Sequence, residues 1–180
     1  MKLFSTSILT AILLIATGCS SSNGTKVKEP FSGKKYTSNA RYFRAVGKGT
    51  SKIDNIASSK ADVEAHKDLA QQVTTNIKVV SDAYVQDVQG EHVNQAIERF
   101  ESLAREITNT TIGDLRKLGE EKYALEDGTF SVFVAYEIKK SAMFKFLKKK
   151  AKSDERISSL ARTQIINMCD KEIERLESLD

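Results

Sequence analysis

Apolar residues recur at every fourth position through Ala57, Ala61, Ala65, Leu69, Val73 and Ile77, the period of one helical face. With Asp54 or Asn55 as N-cap, this row predicts a helix whose buried stripe starts small, permitting close approach to a sheet, and then widens. Lys60, Glu64, Lys67 and Asp68 fall off the row and face water, and the isolated His66 is expected to face solvent or cap. After a less regular stretch from Ser81 to Gly90, Val93, Ala96, Ile97, Phe100, Leu103 and Ala104 predict a second amphipathic helix. Its acids, Glu98 and Glu101, the latter four residues from Arg105, read as a solvated face and not as a catalytic dyad.

Period-two patterning flanks these helices. Tyr42 to Val46 reads as a strand that ends in a turn at Gly47 and Gly49. Gly47-Lys48-Gly49-Thr50-Ser51 lacks the full spacing of a phosphate loop and reads as the turn into the helix. Residues 108–125, broken by Gly113 and Gly119, form an expected antiparallel hairpin with Thr129 to Ile138 across Glu126-Asp127-Gly128. Phe130, Val132, Val134, Tyr136 and Ile138 share the face expected to carry the helices; Ser131, Phe133, Ala135 and Glu137 share the other.

The next segment sets seven lysines, Lys139, Lys140, Lys145, Lys148, Lys149, Lys150 and Lys152, around Met143, Phe144, Phe146 and Leu147. As a helix it is basic and amphipathic, and two readings stay open. One is a contact surface for an anionic bilayer or a protein partner; the other is a solvated helix whose Phe144 and Leu147 close the core. From Asp154 to Leu179 the residues Ile157, Leu160, Ala161, Ile165, Met168, Cys169, Ile173, Leu176 and Leu179 make a seam close to a heptad. Such a helix can fold back onto the domain or pair with a neighbour. Cys169 reads as a small buried hydrophobe, with an intermolecular disulfide as the alternative.

The N-terminus has a different character. After Lys2 an apolar stretch from Ile8 to Ala16, interrupted only by Thr10, leads to Ala16-Thr17-Gly18-Cys19. It is shorter than the roughly 20 apolar residues of a spanning helix and fits the apolar core of an export signal. The small residues suit a peptidase groove and the cysteine supplies a thiol for diacylglycerol transfer. Residues 1–18 are therefore expected to be removed and Cys19 to be acylated. Ser20, in place of aspartate, points onward to the outer membrane, and Ser21-Ser22-Asn23-Gly24 carries no acidic tag for surface export, which favours a periplasm-facing position. Residues 19–39, polar and holding the only proline, Pro30, read as a flexible tether.

Composition sharpens this picture. About 160 of the 180 residues remain after cleavage, enough for one core, and the formal charge of +4 falls to about +3 without Lys2. That balance, in an exported protein, gives no basis for nucleic acid as a partner. Once Cys19 is acylated only Cys169 remains, so no disulfide can form within the chain. Two isolated histidines, the absence of a cysteine pair and the lack of a Gly-x-Ser-x-Gly elbow supply no catalytic, metal or cofactor set, and the chain is expected not to be an enzyme. The expected fold class is α+β: a small antiparallel sheet of three to four strands with two helices on one face over residues 40–140. Residues 141–180 add a basic and amphipathic helical extension.

The tyrosine-rich strand, the Gly-x-Gly step, the helix containing Ala61-Asp62-Val63-Glu64-Ala65-His66-Lys67-Asp68-Leu69-Ala70 and the hairpin Leu125 to Val134 together resemble the Lpp-twenty family of outer-membrane lipoproteins. That family includes a flagellar basal-disk lipoprotein and is similar to the N-terminal domain of a flagellar ring protein. The resemblance covers roughly Arg41 to Lys140 and implies helices packed on a small antiparallel sheet, with a structural or envelope-assembly role and no known chemistry. The tail from Ser141 lies outside it. Two function classes follow: an anchored module that self-associates or binds an envelope partner, and a periplasmic carrier of a small ligand or an enzyme with an unrecognised site.

Overall fold

The computed structural model describes residues 27–88, 93–110 and 114–179. The expected signal peptide 1–18, the acylated Cys19, the first part of the expected tether, and Gly90, Gly113 and Asp180 lie outside the described residues. The fold is α+β. In chain order it runs β1 (Tyr42–Ser51), α1 (Asp54–Asp87), α2 (Val93–Thr110), β2 (Arg116–Ala124), β3 (Phe130–Lys139), α3 (Lys140–Ser153) and α4 (Ser159–Glu177). The three strands form one antiparallel sheet in the order β1-β3-β2, so β3 is central and both neighbours are edges.

β1 does not stop at the glycines. It continues through Gly47 and Gly49 to Ser51, pairing Gly47 with Val134 and Gly49 with Val132. The expected turn is therefore a strand, and the glycines serve space, not a bend. A Cβ built on Gly47 would lie 1.9 Å from the Ala61 carbonyl oxygen, and one on Gly49 would lie 2.0 Å from that of Ala57. The backbone of α1 thus occupies the volume that two side chains would need. Ala57, Ala61 and Ala65, all fully buried, complete the contact from the helix side. A helix normally stands off a sheet by the thickness of the side chains between them; here that layer is one methyl deep.

The helix begins at Asp54 after Ile53, which occupies the cap position without a side-chain cap, and the Asp54 carboxylate pairs with Lys122 at 2.9 Å. It also outruns the expected end, reaching Asp87, with Ser81 and Tyr84 prolonging the buried row. At 1.5 Å per residue its 34 residues span about 50 Å, against about 33 Å for the ten residues of β1. Gln72 already reaches the Arg44 carbonyl near the start of β1. The turns beyond Ile77 project past the sheet, and there the row has grown into the larger residues that fill a helix-only core.

Of the two helices expected on the sheet, α1 lies directly on it and α2 packs against α1, α4 and α3. In α2 the expected face is buried: Val93, Ala96, Phe100, Leu103, Ala104 and, one turn on, Ile107. Thr108 to Thr110, read as the start of the hairpin, close this helix instead. α3 starts at Lys140 directly after β3, so Lys139 is a strand residue. α4 folds back onto α3 and α2, burying Ile157, Ala161, Ile165, Met168, Cys169 and Leu176 in the same continuous core as the sheet. The turn between them is held by Asp154, which accepts from Arg99 at 2.7 Å and from Arg156 Nε at 2.8 Å. Arg156 foremost, with Arg99 adding to it, holds this carboxyl well below the usual carboxylate range.

Both faces of β3 are buried. Val132, Val134 and Ile138 meet the helices, while Phe133, Ala135 and Glu137 lie under a second cover. Glu137 is gripped from both edges, by Arg44 of β1 at 2.9 Å and by Arg116 of β2. Part of the segment expected as a tether supplies the rest of that cover. A 3-10 turn at Lys34–Tyr36 touches β1 and β3, Glu29 pairs with Lys48 at 2.7 Å, and the Phe31 ring lies over Gly119. Phe31 has φ of 57°, a conformation rare for a bulky residue, held here by its packing on Gly119 and Tyr36.

Replacing Gly47 or Gly49 by alanine is expected to destabilise the protein by about 3 kcal/mol or more, because backbone and not a flexible side chain fills the space. Gly119→Ala, which meets only the Phe31 ring, is expected to cost about 1 kcal/mol, and Gly33→Ala, with nothing within 4 Å, to be near neutral. Urea midpoints at constant m-value measure all four.

Candidate functional site

The seven lysines singled out in the sequence divide into structural and surface groups. Lys139 is half-buried at the end of β3. Lys140 sets its ammonium 4.6 Å from the Phe43 ring centre beside Glu172 and Arg175, and burial, then Arg175, lowers its pKa. Lys140 holds the start of α3 to the sheet and α4. Lys145, Lys148, Lys149 and Lys152 lie off the buried row of α3; Lys145, Lys149 and Lys152 are exposed and Lys148 is half-buried. Lys145 pairs with Glu177 at 2.6 Å and Lys148 with Asp170, both on α4. Lys149 and Lys152 have no carboxylate partner among the described residues, and Lys150 on the flank sits 5.7 Å from the Phe146 ring centre.

The apolar side of α3 is spent on the core: Met143, Phe144, Leu147 and Ala151 are buried, and Phe146 is half-buried at the edge. The solvated-helix reading therefore describes how α3 packs, and what it offers outward is charge. Between α2 and α3 runs a groove of about 340 Å³ floored by Leu103, Ile107 and Phe146 and rimmed by Lys149, Lys150 and Glu106. A second groove, of about 220 Å³, separates the far end of α1 from α4. Val80, Tyr84 and Met168 line it, and the ion pairs Lys171 with Asp87 and Arg175 with Glu172 close its rim.

Titratable side chains that the sequence keeps far apart converge on the other flank of α1. The Tyr136 hydroxyl donates to Asp62 at 2.8 Å, and the His66 ring lies 4.9 Å from that of Tyr136. His66 is half-buried there, not facing solvent or capping. Burial, then the Asp62 bond, raises the Tyr136 pKa, so the phenol stays protonated and a donor at neutral pH. Lys117 joins Asp62 at 4.0 Å and also pairs with Glu120, and Lys122 bridges Glu120 to Asp54. The result is a line of alternating charges that seals β2 to α1. Spacing along the sequence carries no hint of the bridges that leave β2 and β3, because Lys117 with Asp62, Lys122 with Asp54 and Tyr136 with Asp62 each join a strand to a helix more than 50 residues away.

Among the described residues, no three His, Cys, Asp or Glu side chains gather as a metal site, and no helix is long and apolar enough to cross a membrane. Cys169 is fully buried, and burial, with Asp170 beside it, pushes its thiol up to about 12. A thiolate at neutral pH, and with it an intermolecular disulfide from the folded state, is disfavoured. Native protein is therefore expected to leave Cys169 unmodified by a thiol reagent at pH 8 and to react fully in denaturant; mass spectrometry of the Cys169 peptide reads the difference. Compared with models of protein families and with curated proteins, the chain matches none.

Proposed function

We propose that this chain is a lipid-anchored, non-enzymatic protein of the cell envelope that acts as a structural or assembly module at the outer membrane, facing the periplasm. The observation that carries the reading is the sequence Ala16-Thr17-Gly18-Cys19 behind a short apolar stretch, which prescribes acylation at Cys19. Two or more acyl chains hold a protein at a bilayer without any spanning helix, since each buried methylene contributes about 0.8 kcal/mol. The resemblance to the Lpp-twenty family supports an assembly role, carried by the α+β pattern over Arg41 to Lys140.

The exposed α3 lysines fit this location. An anchored domain stays within reach of phospholipid headgroups, and each lysine near an anionic surface contributes about 1 kcal/mol. With the apolar face of α3 buried in the core, this contact is electrostatic and superficial, without insertion of the helix.

Cys19→Ser is expected to release the protein from the membrane fraction and to abolish labelling by a fatty-acid analogue; retention with unchanged processing overturns the anchor. Crosslinking in intact cells is expected to trap the protein with a partner, and monomer alone at native abundance overturns the assembly role. The Cys19→Ser protein is expected to sediment with vesicles containing phosphatidylglycerol and not with pure phosphatidylcholine. Reversing Lys149 and Lys152 to glutamate is expected to weaken that association about tenfold or more, an effect that salt mimics.

A further inference from the structure

Backbone hydrogen bonding along the open edge of β1 is uneven. In an antiparallel edge strand every second residue turns both its N–H and its C=O outward. In β1 these are Tyr42, Arg44, Val46, Lys48 and Thr50, because the Tyr42 and Arg44 groups bond to partners outside the sheet. Asn39 accepts from the Tyr42 N–H at 2.9 Å and donates its own N–H to the Tyr42 carbonyl at 3.0 Å. Ser38 accepts from the Arg44 N–H at 2.8 Å, and both Ser38 and Gln72 donate to the Arg44 carbonyl. At the other end Lys60 donates to the Thr50 carbonyl at 3.1 Å. Between these caps, Val46 and Lys48 keep outward backbone groups with no protein partner among the described residues, as does the Thr50 N–H.

This window opens onto a groove. Lys48, Gly49 and Thr50 form one side and the flank of α1 the other, enclosing about 510 Å³, the largest of the grooves described. Ile56 and Val63 on that flank are 42% and 67% exposed. Unpaired strand groups beside exposed aliphatic side chains are the two components of strand addition: the backbone supplies affinity and the side chains selectivity.

We propose that the Val46–Thr50 edge receives an extended acidic peptide segment of another protein as a fourth strand. Sterics select an extended segment over a second copy of this chain. Gly47 and Gly49 seat α1 directly on β1. Two copies paired through β1, with strands about 4.8 Å apart, would bring their α1 helices closer than the 8–10 Å that packed helices need. A two-fold pairing centred on this window also sets Lys48 against Lys48. A segment with no helix above it meets neither obstacle. Charge selects an acidic one. Of the two lysines lining the groove, Lys60 has no carboxylate partner among the described residues and Lys48 has Glu29, Lys52 follows directly after β1 without a carboxylate partner among them, and Glu64 is the one acid in the lining. Residues 20–26 of this chain contain no aliphatic and no acidic residue, which sets them apart from such a segment. The site stands whether or not Cys19 is acylated.

The test uses the full chain in detergent and a capped hexapeptide alternating glutamate and valine. It is expected to bind saturably, to slow amide exchange at Val46, Lys48 and Thr50 by about tenfold or more, and to bind about tenfold more tightly than a lysine–valine counterpart. Val46→Pro removes one outward donor, a change that edge strands tolerate, and is expected to weaken binding about tenfold with the circular dichroism unchanged. If that variant misfolds, Ile56→Glu with Val63→Glu, both at exposed positions, is expected to weaken binding equally. Absence of saturable binding, protection elsewhere, equal affinity for the two peptides, or indifference to these substitutions overturns the site. Protection that rises with protein concentration alone overturns the choice of occupant in favour of self-pairing.

Discussion

Everything in this fold is arranged around the place where the backbone of α1 rests on the backbone of β1. Gly47 and Gly49 on the strand and Ala57, Ala61 and Ala65 on the helix remove almost the whole side-chain layer between the two elements. The contact fixes the height of α1 above the sheet, its direction and its register, because alanine carbonyls four apart meet glycines two apart. Once α1 is fixed, its far half must project beyond the ten-residue strand. The projecting Ile77, Ser81 and Tyr84 row then requires cover that the sheet cannot give. α2 and α4 supply it, which explains why the C-terminal helices join the common core instead of forming a separate unit.

The close contact also decides where charge goes. With α1 low over β1 and β3, the third strand is reached only from the flank of the helix, and the residues that bridge the gap are long and charged. Asp54, Lys122, Glu120, Lys117 and Asp62 alternate in sign across it. Exposed pairs of this kind individually contribute little, on the order of 0–1 kcal/mol. Their value lies in consistency: each lysine has a carboxylate on either side. On the opposite face one buried carboxylate, Glu137, does comparable work for two edges, joining Arg44 and Arg116 across the central strand. A single buried acid between two guanidiniums pins the register of all three strands, since a slip by one residue would bury it unpaired.

The surfaces left over share an origin. α3 and α4 give their apolar faces to the core, so what they present to solvent is lysine balanced in part by the acids of α4. β1 gives one face to α1 and the other to the 27–39 segment, so what remains to it is an edge, capped by Ser38, Asn39 and Gln72 at one end and by Lys60 at the Thr50 carbonyl, and open between. Charge on a helix and unpaired backbone on a strand differ in chemistry. Both arise where an element has already spent its hydrophobic side.

The amino-acid sequence by itself determined the elements with strong periodicity: the four-residue row of α1, the face of α2, both faces of β3 and the α4 seam are legible because burial imposes a period on a single element. The proposed export signal and acylation of Cys19 are likewise readings of local sequence alone. Only the tertiary structure decided the rest. Gly47 and Gly49 read as a turn because a glycine's local meaning is freedom, whereas here its meaning is emptiness, and what fills that emptiness lies on a different element, α1. Residues 27–39 looked unable to bury anything, yet Phe31 and Tyr36 are bulky enough to cover a sheet that already exists. Seven lysines within fourteen residues gave one composition and different fates, since Lys139 and Lys140 fall at a strand-to-helix junction, Lys148 is half-buried against Asp170 of α4, and the others fall on solvent. The unpaired half of the β1 edge is likewise invisible in the sequence, because it depends on which carbonyls Ser38, Gln72 and Lys60 happen to reach. Periodicity reports what each element buries; only the packed chain reports what each element leaves unsatisfied.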